Sequence, residues 1–319
     1  DLRTVQPAEE DSDESRHYRD HGPDYYAEPC RITVVQVAHA ERSECLLKRM
    51  RGYRKWPHGI VHQYVFNARD VSLLANGLSD RTREMGVGRT VAAITGGYLL
   101  LCFIAPLMMP EGTVPELSGR ANAIDYATES SWGNQDHGED SALGHDQSAH
   151  GGTFSWSELN PVWAFVYGFA DLNCHQKHER SWEINGNQMP VCTRDVGIFL
   201  GLAIGAALFG WRGLNRWTVR DSFLSVFPDD RLESIYLDDR RMLAVLAIIG
   251  IGLAPMAVDG FTQMLTGYES NNPLRVITGL AAGIVVGWWV SAALCARTKY
   301  FDDDPASVLL PANAKLVMK

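Results

Sequence analysis

Between residues 174 and 201 the chain gathers ligand-type and ionisable side chains just ahead of an apolar helix. The run holds Cys174-His175-Gln176-Lys177-His178 and then Cys192-Thr193-Arg194-Asp195. Soft thiolate and imidazole ligands, brought together as two close pairs, suit a tetrahedral zinc ion. Cys174, His175 and Cys192 would supply three ligands, with Asp195 or His178 as the fourth. A carboxylate or an open position in the fourth place suits a catalytic site better than a closed structural one. The same cysteines admit two other chemistries. Outside the cytosol Cys174 and Cys192 can form a disulfide, as a structural clip in a scaffold subunit or as the active pair of a membrane thiol-disulfide oxidoreductase. Redox enzymes of that kind usually use Cys-x-x-Cys or two pairs, and a single pair is available here.

A second constellation follows: Asp259-Gly260-Phe261-Thr262-Gln263 and then Asn271-Asn272-Pro273-Leu274-Arg275. Asp259 closes an apolar helix, and ionisable groups at membrane depth are costly enough to imply a use; a shallow, hydrated position would make it ordinary. Lining a cavity beside the cysteines, Asp259 would act as a proton acceptor, with Gln263 one turn further on. Arg275 would anchor an anion or pair with Asp259. Arg180 and Arg194 add positive charge on the same side. A lipid phosphate or other anion fits between them, and salt bridges to Glu179, Glu183 or Asp195 account for them equally well. The chain has no Gly-rich phosphate loop after a strand, no Gly-x-Ser-x-Gly and no His-Glu-x-x-His. Whether the protein is an enzyme is left open.

The elements that must position these residues are membrane helices. Segments 87–109, 196–211, 242–258 and 277–294 are apolar and of spanning length. They predict an all-α integral membrane protein, a bundle of four transmembrane helices. Segment 154–172, aromatic and interrupted by Pro161, is short for a crossing and reads as a re-entrant or interfacial piece. Gly197, Gly201 and Gly205 repeat every fourth residue, as do Gly279, Gly283 and Gly287. Such stripes let helix backbones approach closely in lipid, so these two helices are expected at the centre of the bundle. Arginines near the helix ends put both termini in the cytosol of a multi-pass plasma-membrane protein, and the loop 110–153, with Arg120 its sole basic residue, outside. Cys192 and Asp259 are separated by two crossings and therefore face the same side.

Residues 1–29 form an acidic tail unable to bury a core. Residues 30–86 form a cytosolic extension, with strands near 31–38 and 59–66 and helical stretches at 39–55 and 68–84. This small α/β unit would offer a docking surface to a protein partner. Residues 110–153 are polar, acidic and without apolar periodicity, which predicts a disordered loop. Residues 154–298 make the helical membrane domain and 299–319 a C-terminal tail. No secretory signal is visible. Acidic residues number 38 against 29 basic, a formal charge of -9, and Lys occurs at only six positions. That balance points to a halophilic source or an ordinary acidic protein, and it excludes a broad nucleic-acid-binding face. The lipid bilayer is the expected environment.

At the quoted motifs the chain resembles an uncharacterised prokaryotic integral-membrane family, a domain of unknown function (number 2085). The pieces are Cys174-His175-Gln176, Glu179-Arg180-Ser181, Gln188-Met189-Pro190-Val191-Cys192, Arg194 and Gly197-Ile198-Phe199-Leu200-Gly201. Asp259-Gly260-Phe261-Thr262-Gln263, Asn272-Pro273-Leu274-Arg275 and Thr278-Gly279 complete them. The resemblance spans about residues 160–296 and implies a compact helical membrane domain, with no activity. The family pattern usually has Cys-x-Arg-Cys where this chain has Cys192-Thr193-Arg194-Asp195. The Asp weakens a dithiol mechanism and keeps a metal site open, since a carboxylate can replace a thiolate ligand.

Overall fold

The computed structural model describes residues 2–3, 81–119, 122–137 and 147–318. The acidic tail beyond residues 2–3 and the extension up to residue 80 lie outside them. The α-helices are α1 (Thr82–Met108), α2 (Pro161–Asn173), α3 (Thr193–Arg212), α4 (Val219–Leu224), α5 (Asp229–Leu237), α6 (Arg241–Leu265) and α7 (Asn272–Cys295). Four of them, α1, α3, α6 and α7, are long and apolar enough to cross a membrane, as the sequence predicts. At 13 residues, α2 measures about 20 Å, short of the ~30 Å hydrocarbon core. Two short ladders complete the structure. β1 (Leu2–Arg3) pairs antiparallel with β4 (Val317–Met318), and β2 (Glu183–Ile184) with β3 (Asn187–Gln188), Glu183 opposite Gln188. Asn185 and Gly186 turn that hairpin, both at positive φ (53° and 65°), the backbone that Asn-Gly favours.

Sequence signals set the helix starts. Asn160 caps α2, its side chain accepting from the Val162 and Trp163 amides, and Pro161 follows where no amide is needed. Asn271 does the same for α7 through the Leu274 amide.

The centre of the bundle is the parallel pair α3 and α7. A Cβ placed on Gly197, Gly201 or Gly205 would stand 2.2, 2.4 and 2.0 Å from the carbonyl oxygens of Val276, Leu280 and Ile284. A Cβ on Gly279, Gly283 or Gly287 would stand 2.2, 2.3 and 2.2 Å from those of Arg194, Ile198 and Leu202. Backbone therefore lies on backbone along the whole contact, as the two stripes predict. α1 joins at Gly88, where a Cβ would meet Gly210 Cα at 2.5 Å. Two arginines at the start of α1 then close the far ends of the central pair. Arg81 donates to the carbonyls of Trp211, Gly210 and Gly213 at 2.6, 3.1 and 3.0 Å. Arg83 donates to those of Leu294 at 2.9 Å and Cys295 at 3.4 Å. Cations at these carboxyl ends satisfy orphan carbonyls and oppose the negative end of each helix dipole.

The loop expected to be disordered over 110–153 is anchored in the core by several of its described residues. Val114, Leu117, Tyr126 and Phe154 belong to one buried cluster with Cys102, Tyr167, Cys174 and Met189. The loop's described part holds two short 3-10 turns, Trp132–Asn134 and Gln147–His150, and buried side chains pair much of the remaining backbone. Asn187 Oδ1 accepts from the Val114 amide at 2.9 Å, Gln188 Oε1 from that of Leu117 at 2.7 Å and Gln147 Oε1 from that of Ser118 at 2.8 Å. Asp171 Oδ2 accepts from the Asp125 and Tyr126 amides and from Trp156 Nε1, each at 3.0 Å. Polar composition here signals internal bonding rather than solvation.

The glycine contact is testable by contrast. Gly205→Ala should lower stability by about 1–3 kcal/mol, since the added methyl meets backbone that cannot step aside. Gly250→Ala, with nothing within 4 Å of its Cβ, should be neutral or slightly stabilising, as helix propensity favours Ala by about 1 kcal/mol. Unfolding in mixed micelles, followed by circular dichroism, measures both; equal effects would show that the stripe does not set the packing.

Candidate functional site

The site lies at the end of the bundle where α3 and α7 begin and α6 finishes. Cys174 is the residue at which α2 stops. Its side chain is 1% exposed, and its sulfur accepts two backbone amides, from Cys192 at 3.0 Å and Gln176 at 3.4 Å. The second contact depends on Gln176 adopting φ 48°, a left-handed conformation that costs a non-glycine residue about 1–2 kcal/mol. The turn is held by its neighbours: Gln176 Nε2 donates to Pro190 O at 3.0 Å, and Gln176 O accepts from Gln188 Nε2 at 2.8 Å.

Cys192 caps the amino end of α3, and Asp195 sits in its first turn. Cys192 Sγ donates to Asp195 Oδ2 at 3.4 Å. One ligand atom each from Cys174, Cys192 and Asp195 lies within 4.8 Å of the others. Burial pushes the Cys174 thiol well above its ordinary range, and the charge and hydrogen bonding of Cys192 add to it.

Of the five expected ligands, the structure brings these three together. His175 is exposed, outside the trio, though its charge acts on Asp195. His178 turns the other way, to Glu116 Oε1 at 3.3 Å. It opens a short 3-10 turn, and Leu117 O fixes its backbone amide at 2.9 Å, which aims the ring at the folded loop.

The second constellation also converges on this end, as the count of crossings requires. Asp259, 6% exposed, forms an ion pair with Arg194. The same Oδ2 accepts from Gln263 Nε2 at 2.9 Å and Ser270 Oγ at 3.2 Å. Arg275 does not pair with Asp259, contrary to one sequence expectation. Arg194, one residue before the Cys-cluster carboxylate on α3, takes that place, and Arg275 donates instead to Ser270 Oγ at 3.1 Å and Gln263 Oε1 at 3.3 Å. Arg180 pairs with Glu269 at 3.1 Å rather than with Glu179 or Glu183, and holds that carboxyl below its usual range. Thr193 Oγ1 joins the two constellations, donating to Asn272 Oδ1 at 3.1 Å. The atoms Asp259 Oδ1, Arg194 Nε, Arg180 Nε and Gln176 Oε1 are buried without a hydrogen-bond partner. Ser270 and Glu269 were not singled out by sequence reasoning, although Ser270 directly precedes the Asn-Asn-Pro start of α7.

A helical membrane protein with a thiol–carboxylate cluster and an arginine network at one end of its central helices is the class defined by this fold. Residues 174–289 match the model of a family described as Predicted membrane protein (DUF2085). The chain is 31% identical over 137 residues to an uncharacterised protein of Methanocaldococcus jannaschii, covering 42% of this chain and 73% of that one. It is 37% identical over 111 residues to an uncharacterised protein of Methanothermobacter thermautotrophicus, covering 35% and 78%. No solved structure matches it. The chain belongs to this family of predicted membrane proteins.

The Arg194–Asp259 pair allows a direct measurement. Arg194→Gln strands a buried carboxylate and should cost about 3–5 kcal/mol. The double variant Arg194→Gln/Asp259→Asn should cost clearly less than the sum of the single changes. Additive losses in a double-mutant cycle would mean that the pair is not coupled.

Proposed function

We propose that Cys174, Cys192 and Asp195 bind a divalent metal ion, zinc by ligand type, at the edge of the membrane. The carrying observation is the convergence of two sulfurs and one carboxylate oxygen within 4.8 Å, on a sulfur already addressed by two amides. Hydrogen bonds to a sulfur favour its charged form, and the amino end of α3 favours thiolate and carboxylate alike. Three protein ligands leave a fourth tetrahedral position open, which is the arrangement of reactive rather than structural zinc. Asp259 and Gln263 belong to the network joined to the cluster through the adjacent Arg194, and Asp259 would serve as a proton acceptor through its unpartnered Oδ1. His175, exposed, is within electrostatic reach of Asp195 and is a candidate for a mobile fourth ligand.

We place this end outside the cell and both termini in the cytosol of the plasma membrane. Arg81, Arg83, Arg212, Arg216, Arg220, Arg231, Arg240, Arg241 and Arg297 cluster at the opposite end, as the charge asymmetry of cytosolic loops requires. A second interpretation, a Cys174–Cys192 disulfide in a scaffold subunit, shares the proximity of the sulfurs. It leaves unused the carboxylate beside Cys192 and the amides aimed at Cys174.

Elemental analysis of the detergent-purified protein, with thiol titration on the same sample, tests the proposal. Near-stoichiometric zinc that disappears in Cys192→Ser is expected. Absence of metal, with both cysteines protected from alkylation until reduced, overturns the metal site in favour of the disulfide. A pH series adds a second check. The Cys174 proton is held tightly by burial, so a metal must displace it, and affinity should fall about tenfold per pH unit for each proton released as pH is lowered.

A further inference from the structure

Three guanidinium groups meet at the site end of the bundle, and two of them have a carboxylate. Arg180 pairs with Glu269 and Arg194 with Asp259. Arg275 is 2% exposed, and among the described residues no carboxylate lies within 4.0 Å of it. Its acceptors are neutral: Ser270 Oγ, Gln263 Oε1 and, at 3.5 Å, Asn272 Oδ1. One hydrogen on each Nη is left without a protein acceptor. The carboxylates around it are engaged elsewhere: Glu269, whose charge acts on Arg275, is paired with Arg180, and Asp259, which accepts from the same Ser270, is paired with Arg194.

A buried cation without a direct ion pair is unfavourable, and its counter-charge, Glu269, is shared with Arg180 and acts on Arg275 from beyond ion-pair distance. The positive charges of Arg180 and Arg194 act on Arg275 more strongly than the Glu269 carboxylate offsets them. Both α3 and α7 begin here, so two parallel helix dipoles present their positive ends to the same place. Arg194 Nε and Arg180 Nε are buried donors without acceptors. The side chains of Arg180 and Arg194 keep 31% and 24% exposure, which leaves an approach from the membrane edge. Every one of these features asks for an anion with several oxygen atoms, since planar guanidinium forks bind such groups through paired N–H donors and helix amino ends favour them.

We propose that Arg275, with Arg194 and Arg180, forms a binding site for a phosphate-type oxyanion at the bilayer edge, supplied by an anionic phospholipid headgroup or as free phosphate. The site does not depend on the metal cluster beside it.

Full-length protein in a phosphate-free maltoside detergent is titrated with inorganic phosphate, and separately with short-chain phosphatidylglycerol against the diacylglycerol that lacks its phosphate. Thermal unfolding and calorimetry are the readouts, each with and without a chelator. A rise in the unfolding midpoint with inorganic phosphate assigns the site to the free ion. A rise with phosphatidylglycerol alone assigns it to the headgroup. In either case Arg275→Gln should weaken binding by about tenfold or more, the loss expected for one charged hydrogen-bonding partner. Without ligand the same variant should lose little stability, because the hydrogen bonds it gives up are offset by relief of a buried charge repelled by Arg180 and Arg194. Should Arg275→Gln fail to fold, Arg180→Gln at the exposed rim should still weaken binding several-fold. No shift with either probe, a shift that survives both substitutions, or one abolished by the chelator would overturn the proposal; the last would put the phosphate on the metal.

Discussion

The direct contact of backbone with backbone between α3 and α7 is the constraint on which the rest of the structure depends. Hydrophobicity cannot hold helices together in lipid, since the surrounding chains are as apolar as the side chains. Close packing can, and six glycines provide it by removing everything that would stand between the carbonyls of one helix and the Cα atoms of the other. The pair is parallel, so the chain must return between its members. α6 makes that return, with α4 and α5 packed at the turn on Asp221, which accepts from Tyr236 Oη at 2.8 Å, Arg241 Nη1 at 3.2 Å and Thr218 Oγ1 at 2.6 Å.

Parallel packing at such short range also aligns two dipoles side by side in a poorly screening medium. The arrangement concentrates partial positive charge at one end and partial negative charge at the other. The carboxyl ends are met by Arg81 and Arg83 from a third helix. The amino ends are met by the Asp195 and Asp259 carboxylates and by the cysteine sulfurs. The chemistry of the site is thus a consequence of the packing: the place where anions are most stable in this protein is the place where its thiols and carboxylates are gathered.

Much of this was legible in the sequence. The four spans, the two glycine stripes and the common side of Cys192 and Asp259 follow from periodicity and from counting crossings. The partners of individual charges were not legible. Arg194 and Arg275 are both a turn or less from a helix start, and only the rotation of α6 against α3 decides which of them reaches Asp259. The loop after α1 was misjudged because composition records polarity, not where the polar groups point. The amides of Asn187, Gln188 and Gln147 and the carboxylate of Asp171 are buried acceptors for the loop's backbone, a role that needs the tertiary fold to exist. The Asn185-Gly186 hairpin, by contrast, carried a local signal that chain order alone could have given. His178 shows the opposite hazard: a ligand-type residue three positions from a ligand-type neighbour, turned away by a single backbone hydrogen bond.

The arginines at the start of α1 bind partners that are far along the chain, and this has a bearing on the order of synthesis. The bond from Arg83 to Leu294 spans 211 residues, so at about 5–20 residues per second the ribosome works for roughly 10–40 s before its acceptor exists. The acceptors of Arg81 and the Gly210 partner of Gly88 are made about 80 residues earlier. The clasp therefore closes in two stages, Arg81 on the end of α3 and later Arg83 on the end of α7.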